Sequence, residues 1–180
     1  MKNILNVKPD LDLNARLVFS NELVDIADLK NKRVLDIGCG FGWFELNALK
    51  KGVKEIAGIE ISAEDLKAAR SNIKDGRAVF KIGGALKLPF KDNYFDTVVA
   101  WEVVEHIPKN TEDKMFKEVY RVLKKKGTFY LSFSFESGII SVANLSQLRL
   151  IDSRRLAYPI GEMSETDFVR LKEKLKALLP

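Results

Sequence analysis

Apolar and polar residues switch between two periods along this chain. From about residue 33 to residue 135, short runs that are apolar nearly throughout (RVLDIG, EIAGIE, AVFKIG, DTVVAWE and TFYLSFSF) alternate with segments of helical spacing. The helical segments are FELNALKK, SAEDLKAARSNI and TEDKMFKEVYRVLKKK. Runs of the first kind suit strands buried on both faces of a parallel sheet, and the alternation predicts an α/β fold with right-handed crossovers. Ser62 with Asp65 and Asn110 with Asp113 read as helix N-cap pairs. Gly127 reads as a C-cap before a strand opening at Thr128, with Lys124, Lys125 and Lys126 meeting the preceding helix dipole. An amphipathic helix, LNARLVFSNELVDIADL, precedes this core. Residues 136–161 show no clean period, and SETDFVRLKEKLKALL reads as a capped helix. The organisation expected is a helical cap over 1–30, an α/β core over 31–136 and a helical segment of the same domain over 137–180.

Within the core, VLDIGCGFGWF (Val34 to Phe44) carries the most chemical information. An apolar strand ends in Asp36, and the turn Gly38, Cys39, Gly40, Phe41, Gly42 leads into a helix. Glycines there let backbone N–H groups approach a ligand closely. Glu60 closes the second strand, where a carboxylate can accept hydrogen bonds from a ribose diol. The pair implies a nucleoside-containing cofactor. A dinucleotide loop, G-x-G-x-x-G, would place its third glycine at position 43, which is Trp43 here. Asp36 beside the loop also opposes a pyrophosphate and suits an ammonium.

The loop resembles the first motif of the class I S-adenosylmethionine-dependent methyltransferases, whose second strand commonly ends in an acid. GGALKLPFKDNYF (Gly83 to Phe95) followed by DTVVAWEVVEHI is similar to that family's adenine-binding turn and fourth strand, and RVLKKKGTFYLSF to its passage into strand five. The resemblance implies a Rossmann-like three-layer sandwich with a mostly parallel sheet in the order 3-2-1-4-5. The family's sixth strand and antiparallel seventh are expected to be lacking. It implies S-adenosylmethionine as cofactor, with Gly38, Cys39, Gly40 and Gly42 clasping the methionine part, Asp36 orienting the loop or the amino group, and Glu60 on the ribose. Ile61, Gly84, Ala85, Leu86 and Trp101 complete the expected cofactor contacts. Where the family has an acid for the adenine amino group this chain has Gly84, so the backbone at Ala85 and Leu86 would serve. Strand alternation points Trp101 away from Glu102, which leaves a core role open for it as well.

Methyl transfer is an in-line displacement that depends first on holding two groups aligned. A hydroxyl acceptor needs further help, and AWEVVEHIP offers Glu102, Glu105 and His106 at the end of the fourth strand. Helical winding there would put all three on one face, where they could hold a divalent cation. The E-x-x-E-H pattern is similar to one in metal-dependent O-methyltransferases of ubiquinone biosynthesis and of small-RNA 3′ ends. The chain has a single histidine, so the RNA enzymes' ligand set cannot be completed, and Glu136 is a guess at a fourth ligand. The favoured reading is metal-free, with Glu102 lining the pocket and His106 as base or substrate contact. A purely structural His106 is the third reading.

Composition narrows the setting. The 180 residues carry a net charge of +5 and one cysteine, Cys39, so an intrachain disulfide or cysteine metal cluster is excluded. Cys39 reads as a small loop residue. The basic runs read as solvated faces without the aromatic interleaving of a nucleic-acid site. No segment resembles a signal peptide or a membrane span, so a cytoplasmic protein is expected. The function expected is methyl transfer to oxygen, nitrogen or carbon of a small molecule. The alternative is a non-catalytic, cofactor-binding or partner-dependent subunit. An exposed edge on the fifth strand would favour a homodimer.

Overall fold

The computed structural model of the chain describes residues 24–134 and the strand at 140–146. Its chain divides into two compact units, residues 1–84 and 85–180, a boundary that falls inside the core expected at 31–136. Helices expected at 13–29 and 164–179 lie wholly or mostly outside the described residues. A short 3₁₀ turn, Ile26–Asp28, is what is described of the first.

The first unit is β1 (Arg33–Ile37), α1 (Trp43–Lys50), β2 (Glu55–Glu60), α2 (Ala63–Asn72) and β3 (Ala78–Ile82). β1 and β3 both run parallel to β2, with Val34 opposite Ile56 and Ile56 opposite Ala78. Val34, Leu35, Ile37, Ile56, Ala57 and Ile59 are buried, as doubly covered strands require. β3 departs from that expectation. Of its residues only Phe80 is buried, because β3 lies at the edge of the sheet and leaves Val79 and Ile82 exposed. Ser62 caps α2 as expected, its Oγ accepting from the Asp65 N–H at 3.2 Å.

The second unit is β4 (Phe95–Ala100), a 3₁₀ turn at Val104–His106, α3 (Glu112–Val122), β5 (Leu123–Ser134) and β6 (Ile140–Ser146). β4 and β5 are parallel, and β6 pairs antiparallel with β5 from Thr128↔Ser146 to Ser134↔Ile140. The sheet order is β3-β2-β1-β4-β5-β6, which contains the expected 3-2-1-4-5. β6 corrects three expectations: one strand beyond the fifth is present, it sits in a stretch read as helical, and it covers the β5 edge offered for self-association. Its pattern escaped notice because ISVANLS mixes polar and apolar residues without strict alternation.

The start of α3 and its exit also differ. Thr111, not Asn110, occupies the N-cap, with Asn110 left-handed at φ 64°. Lys124, Lys125 and Lys126 belong to β5 rather than to a helix end, and Lys124 Nζ meets Asp96 Oδ1 at 2.7 Å. Gly127 is a packing glycine. A Cβ there would lie 3.0 Å from the carbonyl oxygens of Asp96 and Lys124.

Arg121 on α3 anchors the turn that carries Leu88, Pro89 and Phe90. Its guanidinium donates to the carbonyls of Phe90 (2.8 Å) and Leu88 (3.0 Å) and to Asp92 Oδ1 (2.7 Å). Glu118 closes the arrangement, accepting from Arg121 through both carboxylate oxygens and from the Leu88 N–H, each at 2.7 Å. Only a planar fork serves so many acceptors at once. Arg121→Ala is expected to cost about 2 to 3 kcal/mol in urea unfolding, and Arg121→Lys to recover less than half of it, since charged hydrogen bonds of this kind contribute about 1.5 to 3 kcal/mol.

Candidate functional site

In the first unit the chain turns sharply after β1. Gly38, Gly40 and Gly42 adopt φ of 77°, 48° and 82°, values that side chains disfavour. The loop is tied to β2 by the N–H groups of Gly38 and Cys39, which donate to the Ile59 carbonyl at 2.9 and 3.0 Å. Gly42 lets α2 approach, for a Cβ there would sit 2.8 Å from Ile73 Cδ1. Gly40 faces open space instead, with nothing within 4 Å of where a Cβ would project.

Glu60 at the end of β2 accepts three backbone hydrogen bonds. Oε1 takes the N–H groups of Ile61 (2.7 Å) and Ser62 (3.1 Å), and Oε2 takes that of Gly40 (3.1 Å). The expectation that the loop offers its N–H groups to a ligand therefore changes. Those of Gly38, Cys39, Gly40 and Gly42 are all used internally, the last by the Cys39 carbonyl at 2.9 Å. What the loop offers is shape above Gly40 and the remaining acceptor capacity of the Glu60 carboxylate, which has about four lone-pair directions.

Two acids lie beneath the loop. Asp36 is 2 % exposed and Glu45, on the first turn of α1, is 0 % exposed. Asp36 Oδ1 and both Glu45 oxygens are buried without a hydrogen-bond partner. Glu45 fits only because position 58 is glycine: a Cβ there would be 2.5 Å from Glu45 Oε1 and 2.8 Å from Cys39 Sγ. Burial pushes the Glu45 carboxyl from an ordinary 4.5 up to about 8. Burial, then repulsion from Glu45 and Glu60, raises the Asp36 carboxyl well above its ordinary value. The same causes push the Cys39 thiol up and keep it unreactive, in line with a small loop residue. Glu45 was missed in the sequence because an acid in a helix's first turn ordinarily reads as a dipole partner.

Ile61 is 75 % exposed beside Gly84, whose added Cβ would meet Ile61 Cγ2 at 3.6 Å, an ordinary contact. Gly84 is not left-handed, so the glycine is not demanded by the backbone.

In the second unit Ala85 is buried, and Leu86 and Trp101 are half-buried. Glu102 follows β4 in the left-handed region at φ 54°. Ser132 on β5 holds it twice: Ser132 Oγ accepts from the Glu102 N–H at 3.0 Å and donates to Glu102 Oε1 at 2.8 Å. Ser132 was also missed, since SFSF reads as strand alternation alone. Because Glu102 is left-handed and the 3₁₀ turn spans only Val104–His106, the continuous helical face expected for Glu102, Glu105 and His106 does not form. Glu105 and His106 are exposed, and among the described residues no three potential ligands gather to hold a metal ion. Glu136 lies outside the described residues.

A family model described as a methyltransferase domain matches residues 35–131. Norajmaline N-methyltransferase of Rauvolfia serpentina is 34 % identical over 114 residues, covering 61 % of this chain and 38 % of that protein. The 24-methylenesterol C-methyltransferase 2 of Arabidopsis thaliana is 32 % identical over 117 residues, 62 % of this chain and 32 % of its own length. The chain thus spans only about a third to two fifths of these relatives. The solved structure of an S-adenosylmethionine dependent methyltransferase from Mesorhizobium loti superposes with a TM-score of 0.62 at 24 % identity, covering 69 % of this chain and 56 % of that one. The chain belongs to the class I S-adenosylmethionine-dependent methyltransferases. Among the described residues no helix is long and apolar enough to cross a membrane.

Stability should record the buried acid pair. A folded-state value of about 8 against an ordinary 4.5 means that the contribution is complete below 4.5 and is lost as pH rises towards 8. Glu45→Gln should therefore raise Tm at pH about 8 relative to wild type and change it little at pH about 4.5. Calorimetric melts across that range test the sign.

Proposed function

We propose that the chain binds S-adenosylmethionine and catalyses methyl transfer to oxygen, nitrogen or carbon of a small molecule. The observation that carries this is Glu60 at the end of β2, engaged with Gly40 of a left-handed glycine loop whose outer side is open. That arrangement fits a nucleoside with an amino-acid tail: an acid for the ribose, a bare backbone for close approach, and Asp36 below for an ammonium. When bound, the cofactor supplies a methyl group already activated on a sulfonium.

The chain's residues then have distinct tasks. Glu60 orients the ribose, Gly38, Cys39, Gly40 and Gly42 shape the seat for the methionine part, and Ile61 offers apolar surface to the adenine. The backbone at Gly84, Ala85 and Leu86 replaces the contact that an acid would make. Glu102, fixed by Ser132, presents a carboxylate to the acceptor, and His106 takes the acceptor's proton on its imidazole. That the two relatives named above are N- and C-methyltransferases supports a small acceptor.

Titration calorimetry should detect S-adenosylhomocysteine and no binding of NADH. Binding of NADH alone would overturn the cofactor assignment. Glu60→Ala should weaken S-adenosylhomocysteine by about 1.5 to 3 kcal/mol and also lower Tm, because the Gly40, Ile61 and Ser62 N–H groups lose their acceptor.

For the chemical step, catechol, hydroxybenzoate and amine acceptors can be assayed with and without EDTA. His106→Ala is expected to reduce transfer by about 10² to 10⁴, the usual worth of a positioned acid–base group, while EDTA changes nothing. Loss of activity in EDTA would return the metal reading.

A further inference from the structure

We propose that Asp36 and Glu45 share a proton in the free protein, and that an ammonium-bearing ligand seated on the glycine loop expels it to solvent. Ligand binding is thereby coupled to proton release. The inference rests on the cofactor reading above and concerns a residue, Glu45, that the reading does not use.

The geometry sets up the coupling. Asp36 comes from β1, immediately before Gly38, and Glu45 comes from the first turn of α1, immediately after Gly42. Asp36 lies opposite Gly58 of β2, and Glu45 Oε1 would sit 2.5 Å from a Cβ added at that same glycine, so the two acids that flank the loop in sequence meet against one residue of β2. Both are buried, and three of their oxygens have no hydrogen-bond partner. An ionised carboxylate in that state is strongly disfavoured unless a proton or a cation compensates it. β2 closes the space with Gly58, leaving no room for a larger side chain. Among the described residues the Glu60 carboxylate at the end of β2 also acts on Asp36, both acids act on the Cys39 thiol of the loop, and no cation is among the groups acting on either acid. A proton is thus the compensation available to the free protein. The repulsion from Glu60 and the high carboxyl of Glu45 agree with this.

A ligand ammonium changes the balance, since a positive charge close to a buried carboxyl favours its ionised form. The O–H bond of the shared carboxyl breaks, the proton passes to buffer, and the ammonium keeps its charge. No other group changes state. By linkage, a binding reaction that releases a proton strengthens as pH rises. Between pH about 6 and 7.5, where the ligand amine stays protonated, the affinity for S-adenosylhomocysteine should rise by roughly three- to tenfold per pH unit.

Calorimetric titration of the wild-type chain with S-adenosylhomocysteine, in phosphate, Hepes and Tris at pH about 7, counts the protons directly from the buffers' ionisation heats. The expected result is release of roughly half to one proton per ligand bound. 5′-Methylthioadenosine, which lacks the amino-acid part, should bind with none. Glu45→Gln, which keeps the shape and removes one of the two titrating carboxyls, should bind S-adenosylhomocysteine with clearly fewer protons released than the wild type and a correspondingly flatter dependence of the dissociation constant on pH. Release equal to the wild type's would overturn the sharing of the proton. Heats independent of buffer in the wild type would overturn the proposal while leaving the cofactor reading intact. Failure to bind S-adenosylhomocysteine in any buffer would overturn the cofactor reading itself.

Discussion

The Glu60 carboxylate is the junction on which the glycine loop depends. With one side chain the fold ties the end of β2 to the start of α2, through Ile61 and Ser62, and to the middle of the glycine loop, through Gly40. A left-handed loop has no ladder of its own, so its conformation needs acceptors from elsewhere. Ile59 and Glu60 are those acceptors. A ligand that takes a share of the Glu60 oxygens must therefore compete with the loop's own support, which makes occupancy and loop order two aspects of one equilibrium.

Much of this was legible in the sequence. Among the described residues, the five parallel strands and three helices were marked by apolar runs and helical spacing, and their order followed from the resemblance of an ordered series of motifs rather than from any one glycine loop. The placement of Asp36 on β1, of the glycines in the turn and of Glu60 at the end of β2 was legible because their spacing is tied to a strand, a turn and a second strand. Less was legible wherever function depends on what faces a residue. Nothing in the sequence marked Glu45 as a core residue, because the room it occupies is left by Gly58, thirteen positions away. Ser132 looked like strand pattern until Glu102 turned left-handed and met it. β6 was hidden because half-polar strands carry a weak periodic signal.

The two units carry different kinds of polar arrangement. In the second, Arg121, Glu118 and Asp92 lie at a partly exposed turn, and each donor finds an acceptor. Such a set holds a turn in place and asks nothing of a ligand. Beneath the glycine loop the acids lie in the core with open valences. Natural cores rarely leave polar atoms unmatched, and that imbalance is what the ammonium-bearing ligand proposed above would correct.

Glu102 has a bearing on how the chain would respond to selection. A left-handed conformation costs a non-glycine residue roughly 1 kcal/mol or more, and glycine or asparagine would relieve it. A search for heat-resistant variants that scored folding alone would accept Glu102→Gly or Glu102→Asn early, and with it discard the carboxylate that Ser132 holds. Selection for robustness and selection for the acceptor role proposed for Glu102 would therefore pull this one position in opposite directions.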